Sequence, residues 1–425
     1  MIFDELDSLE AAKTRIKVIG VGGAGINAID HMIENEVHGV QFIAVNTDAQ
    51  NLKVSKARNR LLIGKNRTRG QGAGANPHVG REAAEESVDD IHEMIGDAEM
   101  VFITCGMGGG TGTGAAPLVA KVAREHGCLT VGICTKPFIF EGPTRMNNAV
   151  AGLEELRQYV DTLIVIPNQR LLQVVDPSTS VLDAFREADN VLRKGVQGIA
   201  EMIAIPGLIN VDFADVKTVM KDKGTALMGI GAASGPNRAL EAARYAIHSS
   251  LLEVTIDGAT DAIVNITGSE RLSLKEVETA IAEIRNNCGK DLNIIYGTAI
   301  NNDLDDEIVI TVVATGYELK AQNSGYDELA ETIYRNMSDE NITYDGLEDY
   351  DSTTVLEEPR IMKPNTLDIF GTPRTSRRDE KRRQKEEEKR FKEQQKSIKQ
   401  MDQKKKEVEQ NRNNNNKNLP DWLTR

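Results

Sequence analysis

The chain is predicted to be an α/β protein: a Rossmann-like parallel sheet, a long central helix, a second and smaller α/β domain, and a disordered tail. Three observations lead there. Near-continuous Val/Ile runs recur at βα spacing between Arg15 and Pro167, the pattern of strands buried on both faces. Glycine-rich stretches follow two of these runs and open helical patterns. Apolar patterning fades after Gly316, and the remaining chain cannot bury enough surface to fold alone.

"RIKVIG" is the first strand, followed by a helix through Ile26, Ile29, Met32 and Ile33. "VQFIAVNTD", "EMVFITCG", "CLTVGICT" and "DTLIVIPN" follow as strands, and their alternation with helices implies a doubly wound parallel sheet. Thr179 to Ala204 reads as one connecting helix, interrupted in pattern only by Gly195 and Gly198. "IPGLINVDFAD" is a turn-rich loop before a helix through Val216 and Met220. From Thr225 a second block has strands "ALMGIGAAS", "DAIVNITG", "LNIIYGTAI" and "EIVITVVATG". Pro236 opens a helix towards His248, in the favoured first-turn position. In "SLKEVETAIAEIR", Ser273 and Glu276 have the spacing of a capping box. The expected divisions are an extension (1–14), a first domain (15–178), the central helix (179–204) and a loop with its following helix (205–224). A second α/β domain (225–317), a flexible linker (318–418) and a terminal peptide (419–425) complete them.

Composition narrows the function. Aromatics are 4% of the 425 residues, so the core must come from Val, Ile, Leu, Ala and Met. No apolar run approaches the ~20 residues of a membrane span. The acidic start "MIFDELDSLE" lacks the charged and apolar regions of a signal peptide, so a cytoplasmic protein is expected. The four cysteines form no CxxC pair and are expected to be buried, reduced thiols. The net charge of −14 is split: from Arg374 onwards, 18 basic and 10 acidic residues give +8, leaving −22 on the rest. An acidic body argues against nucleic-acid binding.

Two glycine stretches carry the chemistry. Gly20-Val21-Gly22-Gly23-Ala24-Gly25 fits GxGxxG after the first strand. "CGMGGGTGTGAAP", Cys105 to Pro117, sits between the strand "EMVFITC" and a helix through Leu118, Val119 and Val122. Glycine N–H groups at a strand-to-helix turn form an anion cradle, and the helix N-terminus adds partial positive charge. Thr111 and Thr113 can add hydroxyl donors. No GxxxxGK[ST] string occurs, so any phosphate is met without a Walker lysine. Asp48, at the end of the next strand, also fits a dinucleotide-binding fingerprint, which leaves an NAD(P)-dependent oxidoreductase as a rival. A third small-residue stretch, "RGQGAGANP" from Arg69 to Pro77, suits a polyphosphate chain better.

"GGGTGTG", "IKVIGVGGAGINA", "IAVNTDAQ", "TRGQGAGANP", "FEGPTR", "FREADNVLRKGVQGI" and "GLINVDFADVK" resemble the bacterial cell-division GTPases of the tubulin/FtsZ superfamily. The match is dense from about residue 15 to 317. It implies a tubulin/FtsZ-like GTPase using GTP/GDP and Mg²⁺. Gly22, Gly23, Ala24, Gly25 and Asn27 would contact the nucleotide, and Gly109, Gly110, Thr111, Gly112 and Thr113 would carry the phosphates. Ala73, Gly74 and Ala75 would sense the γ-phosphate. Glu141 and Arg145 would hold the ribose region, Asn168 and Phe185 would lie beside the base, and Asp189 would read guanine. A carboxylate suits guanine because N1–H and the 2-amino group are adjacent donors. Ala24 and Ile26 stand where the family commonly has Gly and Asn.

"NVDFAD" places Asn210, Asp212 and Asp215 at a loop-to-helix junction, where helix capping is the plain reading. The resemblance implies instead that these residues enter the nucleotide site of the next subunit. Asn210 would orient the nucleotide, and Asp212 and Asp215 would position water and cation. Head-to-tail filaments, a contractile-ring scaffold at midcell and hydrolysis activated by assembly would follow. Leu419, Pro420, Trp422 and Leu423 form an apolar motif after the linker, similar in content to the family's terminal peptide but different in order, with Trp for the common Phe. It would bind membrane-tethering and regulatory division proteins. A nucleotide-binding scaffold without catalysis is the third class, in which "NVDFAD" is only a cap.

Overall fold

The computed structural model describes residues 15–172, 175–176, 179–204, 209, 211–249, 256, 258–288 and 292–316. The chain divides into units 1–342 and 343–425, and all described residues lie in the first. The extension 1–14, the linker from 318, Asn210 and the peptide residues Leu419, Pro420, Trp422 and Leu423 lie outside the described residues.

The first half alternates as expected. β1 (Ile16–Val21) leads into α1 (Gly22–Glu34), then β2 (Gln41–Asn46), α2 (Ala49–Val54), β3 (Asn59–Leu62), α3 (Lys65–Thr68), α4 (Pro77–Glu86) and α5 (Val88–Ile95). β4 (Met100–Gly106), α6 (Thr111–Glu125), β5 (Leu129–Lys136), a 3₁₀ turn (Ile139–Glu141), α7 (Pro143–Arg157), β6 (Thr162–Pro167) and α8 (Asn168–Leu171) follow. All of these strands pair in parallel in the order β3-β2-β1-β4-β5-β6. Strand order reverses between β1 and β4, the switch point at which open α/β sheets bind ligands. The two glycine stretches leave the sheet at these two strands.

α9 (Val181–Ala204) is the central helix, about 36 Å long at 1.5 Å per residue. Its buried stripe of Ala188, Val191, Leu192, Val196 and Ile199 belongs to the core layer shared with α1, and that layer continues to Met228, Ile263 and Val313 of the second half. A second layer covers the opposite face of the parallel sheet with residues of α4, α5, α6 and α7.

α10 (Phe213–Met220) leads to β7 (Gly224–Ser234), α11 (Arg238–Ile247), β8 (Asp261–Gly268), α12 (Leu274–Cys288), β9 (Asn293–Ile300) and β10 (Glu307–Thr315). The second block is continuous with the first sheet. Gly224, Thr225 and Ala226 pair in parallel with β6, while the rest of β7 pairs antiparallel with β10. β10 lies between β7 and β8, antiparallel to both, and β9 closes the ten-stranded sheet. The helix expected from Pro236 begins later, at Arg238: Gly235, at φ +90°, makes a turn whose carbonyl accepts the Arg238 N–H at 3.2 Å, and Pro236 sits inside it. The Ser273–Glu276 capping box forms as expected. The Ser273 N–H donates to Glu276 Oε2 at 2.8 Å, and the Glu276 N–H donates to Ser273 Oγ at 3.3 Å. All four cysteines are buried thiols.

Candidate functional site

The loops after β1, β4, β5 and β6 converge at one edge of the parallel sheet. β1 passes into α1 with no intervening loop. Val21 is the N-cap and has no side chain to cap with, so the first N–H groups of α1 have no side-chain partner. The turn is possible because Gly22 takes φ +74°, and a Cβ there would stand 2.8 Å from the Gly112 nitrogen. The two glycine stretches are therefore in direct contact. α6 likewise starts from Gly110, without a side-chain cap. Gly23 and Gly109 have nothing within 4 Å of where a Cβ would stand. Two uncapped helix N-termini joined side by side make an anion cradle of backbone N–H groups.

Both expected hydroxyl donors have protein partners. Thr113 Oγ1 accepts the Gly108 N–H at 2.8 Å, and Thr111 Oγ1 lies 2.7 Å from Thr47 Oγ1. Thr113 is 2% exposed, so its hydroxyl shapes the loop from inside. Of the third loop, Ala73 is buried while Gly74 and Ala75 are exposed, and Ala75 holds φ +58°. That conformation costs an alanine about 1–2 kcal/mol.

The expected base and ribose residues surround the same edge. Glu141 Oε1 accepts the Phe138 N–H at 2.8 Å, and its Oε2 pairs with Arg145 Nε at 3.1 Å. Phe138 stacks on Phe140 at 5.0 Å and meets Phe185 edge-on at 5.2 Å, which seats the 3₁₀ turn against α9. Phe185 and Asp189 stand one turn apart on α9, which packs on α1, the helix carrying the exposed Asn27. Burial pushes the Asp189 carboxyl up to about 7, and no donor among the described residues meets it. Asn168 is 5% exposed, and its buried Oδ1 has no partner among the described residues. A buried acceptor without a donor costs about 1–3 kcal/mol, which a ligand bearing N–H groups would recover.

Asp48, the acid of the dinucleotide reading, is occupied elsewhere: its Oδ1 accepts the N–H groups of Gln50 and Asn51 and caps α2. α9 ends at the opposite edge, where a Cβ at Gly39, just before β2, would run into the Ala204 side chain, and the segment that carries Asp212 and Asp215 leaves from there. α10 ends where Met220 O accepts the Thr162 hydroxyl, at the start of β6. The capping expected on the plain reading does not occur. Asp212 occupies the N-cap position of α10 without a side-chain cap bond. Both carboxylates are exposed. One chain thus gathers the nucleotide-binding candidates at one edge, while the segment bearing these two acids is anchored at the other through Ala204 and Met220. Thr47 was missed in the sequence; its signal was a polar Asn-Thr-Asp triplet directly ending a strand.

The fold and site define a class: a nucleotide-binding α/β protein whose phosphate cradle is built from backbone rather than from a Walker lysine. Family comparison makes it specific. Residues 15–176 match the GTPase domain of the Tubulin/FtsZ family, and residues 224–318 match the C-terminal domain of the FtsZ family. An FtsZ dimer structure from M. jannaschii is 46% identical, with a TM-score of 0.71, covering 74% of this chain and 92% of that one. A point mutant of the M. jannaschii protein is 47% identical with the same TM-score, covering 74% and 95%. CetZ2 from Haloferax volcanii, solved as a GTPγS-bound protofilament, shares the fold at 21% identity and a TM-score of 0.64, covering 76% and 99%. The chain belongs to the tubulin/FtsZ family and is a GTPase.

Proposed function

We propose that the chain polymerises head to tail into filaments, hydrolyses GTP at each subunit junction, and forms the ring scaffold of cell division in the cytoplasm at midcell. One observation supports this reading: the nucleotide cradle gathers at one edge of the sheet, while the segment bearing the uncapped Asp212 and Asp215 is anchored at the other through Ala204 and Met220. Unlike faces that associate without closing generate a filament. The M. jannaschii relative solved as a dimer supports self-association.

In this mechanism the N–H groups of Gly22, Gly23, Ala24, Gly25, Gly109, Gly110 and Gly112, with Thr111 and Thr113, bind the phosphates. Ala73, Gly74 and Ala75 sense the terminal one. Glu141 and Arg145 hold the ribose, Asn27, Asn168 and Phe185 surround the base, and Asp189 accepts from guanine N1–H and the 2-amino group. Asp212 and Asp215 of the next subunit accept hydrogen bonds from water and aim its oxygen at the γ-phosphorus, while Asn210 orients the nucleotide. The water oxygen bonds to the γ-phosphorus as the bond to the bridging oxygen breaks; GDP leaves with that electron pair, and the water's protons leave with the inorganic phosphate. Phosphoryl transfer needs mainly positioning and charge stabilisation, which these groups supply. Mg²⁺ would take phosphate oxygens and water as ligands and neutralise the developing charge. Leu419, Pro420, Trp422 and Leu423 would recruit tethering and regulatory division proteins through the linker.

The test is GTP turnover across protein concentrations, with light scattering on the same samples. Activity per subunit should rise above a threshold together with scattering; flat activity without scattering would refute the shared site. Asp215→Ala should retain GTP binding and lose turnover, and should depress wild-type turnover beyond dilution when mixed in. Undiminished turnover in that variant would remove the carboxylate role.

A further inference from the structure

We propose that Thr47 is a positioning residue that couples the third loop to the phosphate cradle and so sets the preference for GTP over GDP; this rests on the cradle being the GTP site. Thr47 follows β2, is fully buried, and is bonded in two directions. Its hydroxyl lies 2.7 Å from Thr111 Oγ1, in the first turn of α6. Its carbonyl accepts the Gly72 N–H at 3.1 Å and the Thr68 hydroxyl at 3.2 Å. Its own N–H donates to Asn46 Oδ1 at 2.9 Å, which holds the peptide in place.

The hydroxyl pair has a directional consequence. A hydroxyl has one proton, so one threonine of the pair donates and the other accepts. If Thr111 is to donate to a phosphate oxygen, Thr47 must donate to Thr111. Thr47 therefore turns the Thr111 proton outward, towards the cradle. The same peptide unit carries the carbonyl that anchors Gly72, the residue before Ala73, Gly74 and Ala75. The third loop also leans on the cradle directly, since a Cβ at Gly110 would stand 2.8 Å from the Ala73 side chain. A shift of the third loop on loss of the terminal phosphate is thus transmitted through Thr47 to the orientation of Thr111. The pair is internal to one chain, so the effect belongs to nucleotide binding and needs no assembly.

The test measures equilibrium binding of GTP and GDP by the full chain below any assembly threshold. Thr47→Val keeps the shape and the carbonyl bonds but removes the hydroxyl. It should lower the ratio of GTP to GDP affinity about fivefold, the worth of one hydrogen bond. Thr47→Ser should restore the ratio. Thr47→Ala repeats the deletion if Thr47→Val folds poorly. An unchanged ratio, or equal weakening of both nucleotides, would overturn the coupling and leave Thr47 a packing residue. Failure of the wild type to bind either guanine nucleotide would instead refute the reading of the site itself.

Discussion

Asp189 in the first half and Glu276 in the second are both sheltered carboxylates, and their surroundings treat them in opposite ways. Asp189 is pushed up to about 7 by burial, with no donor opposite it. Glu276 is held down to about 2, first by the Arg238 guanidinium at 2.6 Å and then by the N–H and hydroxyl of Ser273. Arg238 is itself buried and also reaches Asp306, so this corner of the second half is a closed network. Asp189 and Asn168 Oδ1 each lack a donor among the described residues. A group that serves the fold has its partners within the chain. A group kept for a ligand is left short of them, at a cost to the ligand-free fold.

The largest expected effect that would break this contrast is Asp189→Asn. It should weaken GTP binding about ten- to a hundredfold, because the proposed role of Asp189 gives guanine's two donors a charged acceptor, and that is lost. It should also raise the ligand-free melting temperature at pH 8, where the wild type must bury a charge. A lower melting temperature would make Asp189 a structural residue and end the contrast. Glu276→Gln should do the reverse. Loss of the charge facing Arg238 should cost about 2 kcal/mol of stability, read by denaturant unfolding, with GTP affinity unchanged. A parallel loss of GTP affinity would show that the two halves are not separable.

The smallest expected effect is on pH dependence, and it sharpens the contrast by sign. The Asp189 folded-state pKa lies above its ordinary 3.8, so its contribution favours the ligand-free fold at low pH and is lost as pH rises through about 7. The Glu276 folded-state pKa lies below its ordinary 4.5, so its contribution is full above that value and is lost as pH falls towards 2. On the proposed reading, guanine binding needs Asp189 ionised. GTP affinity should therefore fall by up to about tenfold per pH unit below 7, and Asp189→Asn should abolish that slope. A wild-type affinity that stays flat from pH 8 to 6 would mean that Asp189 is not the guanine reader.

Much of the molecule could be read along the chain because its causes are local. Val/Ile runs made strands β1, β4, β5 and β6, and Gly22, Gly110 and Gly112 allowed close turns at the strand ends. Ser273 and Glu276 closed a box three residues apart, and the resemblance of "FREADN" singled out Asp189 as a candidate. Other features depended on residues far apart in sequence. β7 paired with β6 through its first three residues, so the second block extended the first sheet, and β10 entered between β7 and β8, because strand partners are chosen by packing rather than by chain order. The burial that raises Asp189 exists only in the folded protein, where α9 packs on α1. Asp212 could have capped its helix by spacing, and only the folded backbone left it without a cap bond. Thr47 and Thr111, 64 positions apart, met because β2 ends and α6 begins at the same edge of the sheet. Spacing along the chain specifies turns, caps and faces; partnership and burial arise from elements that only the folded core brings together.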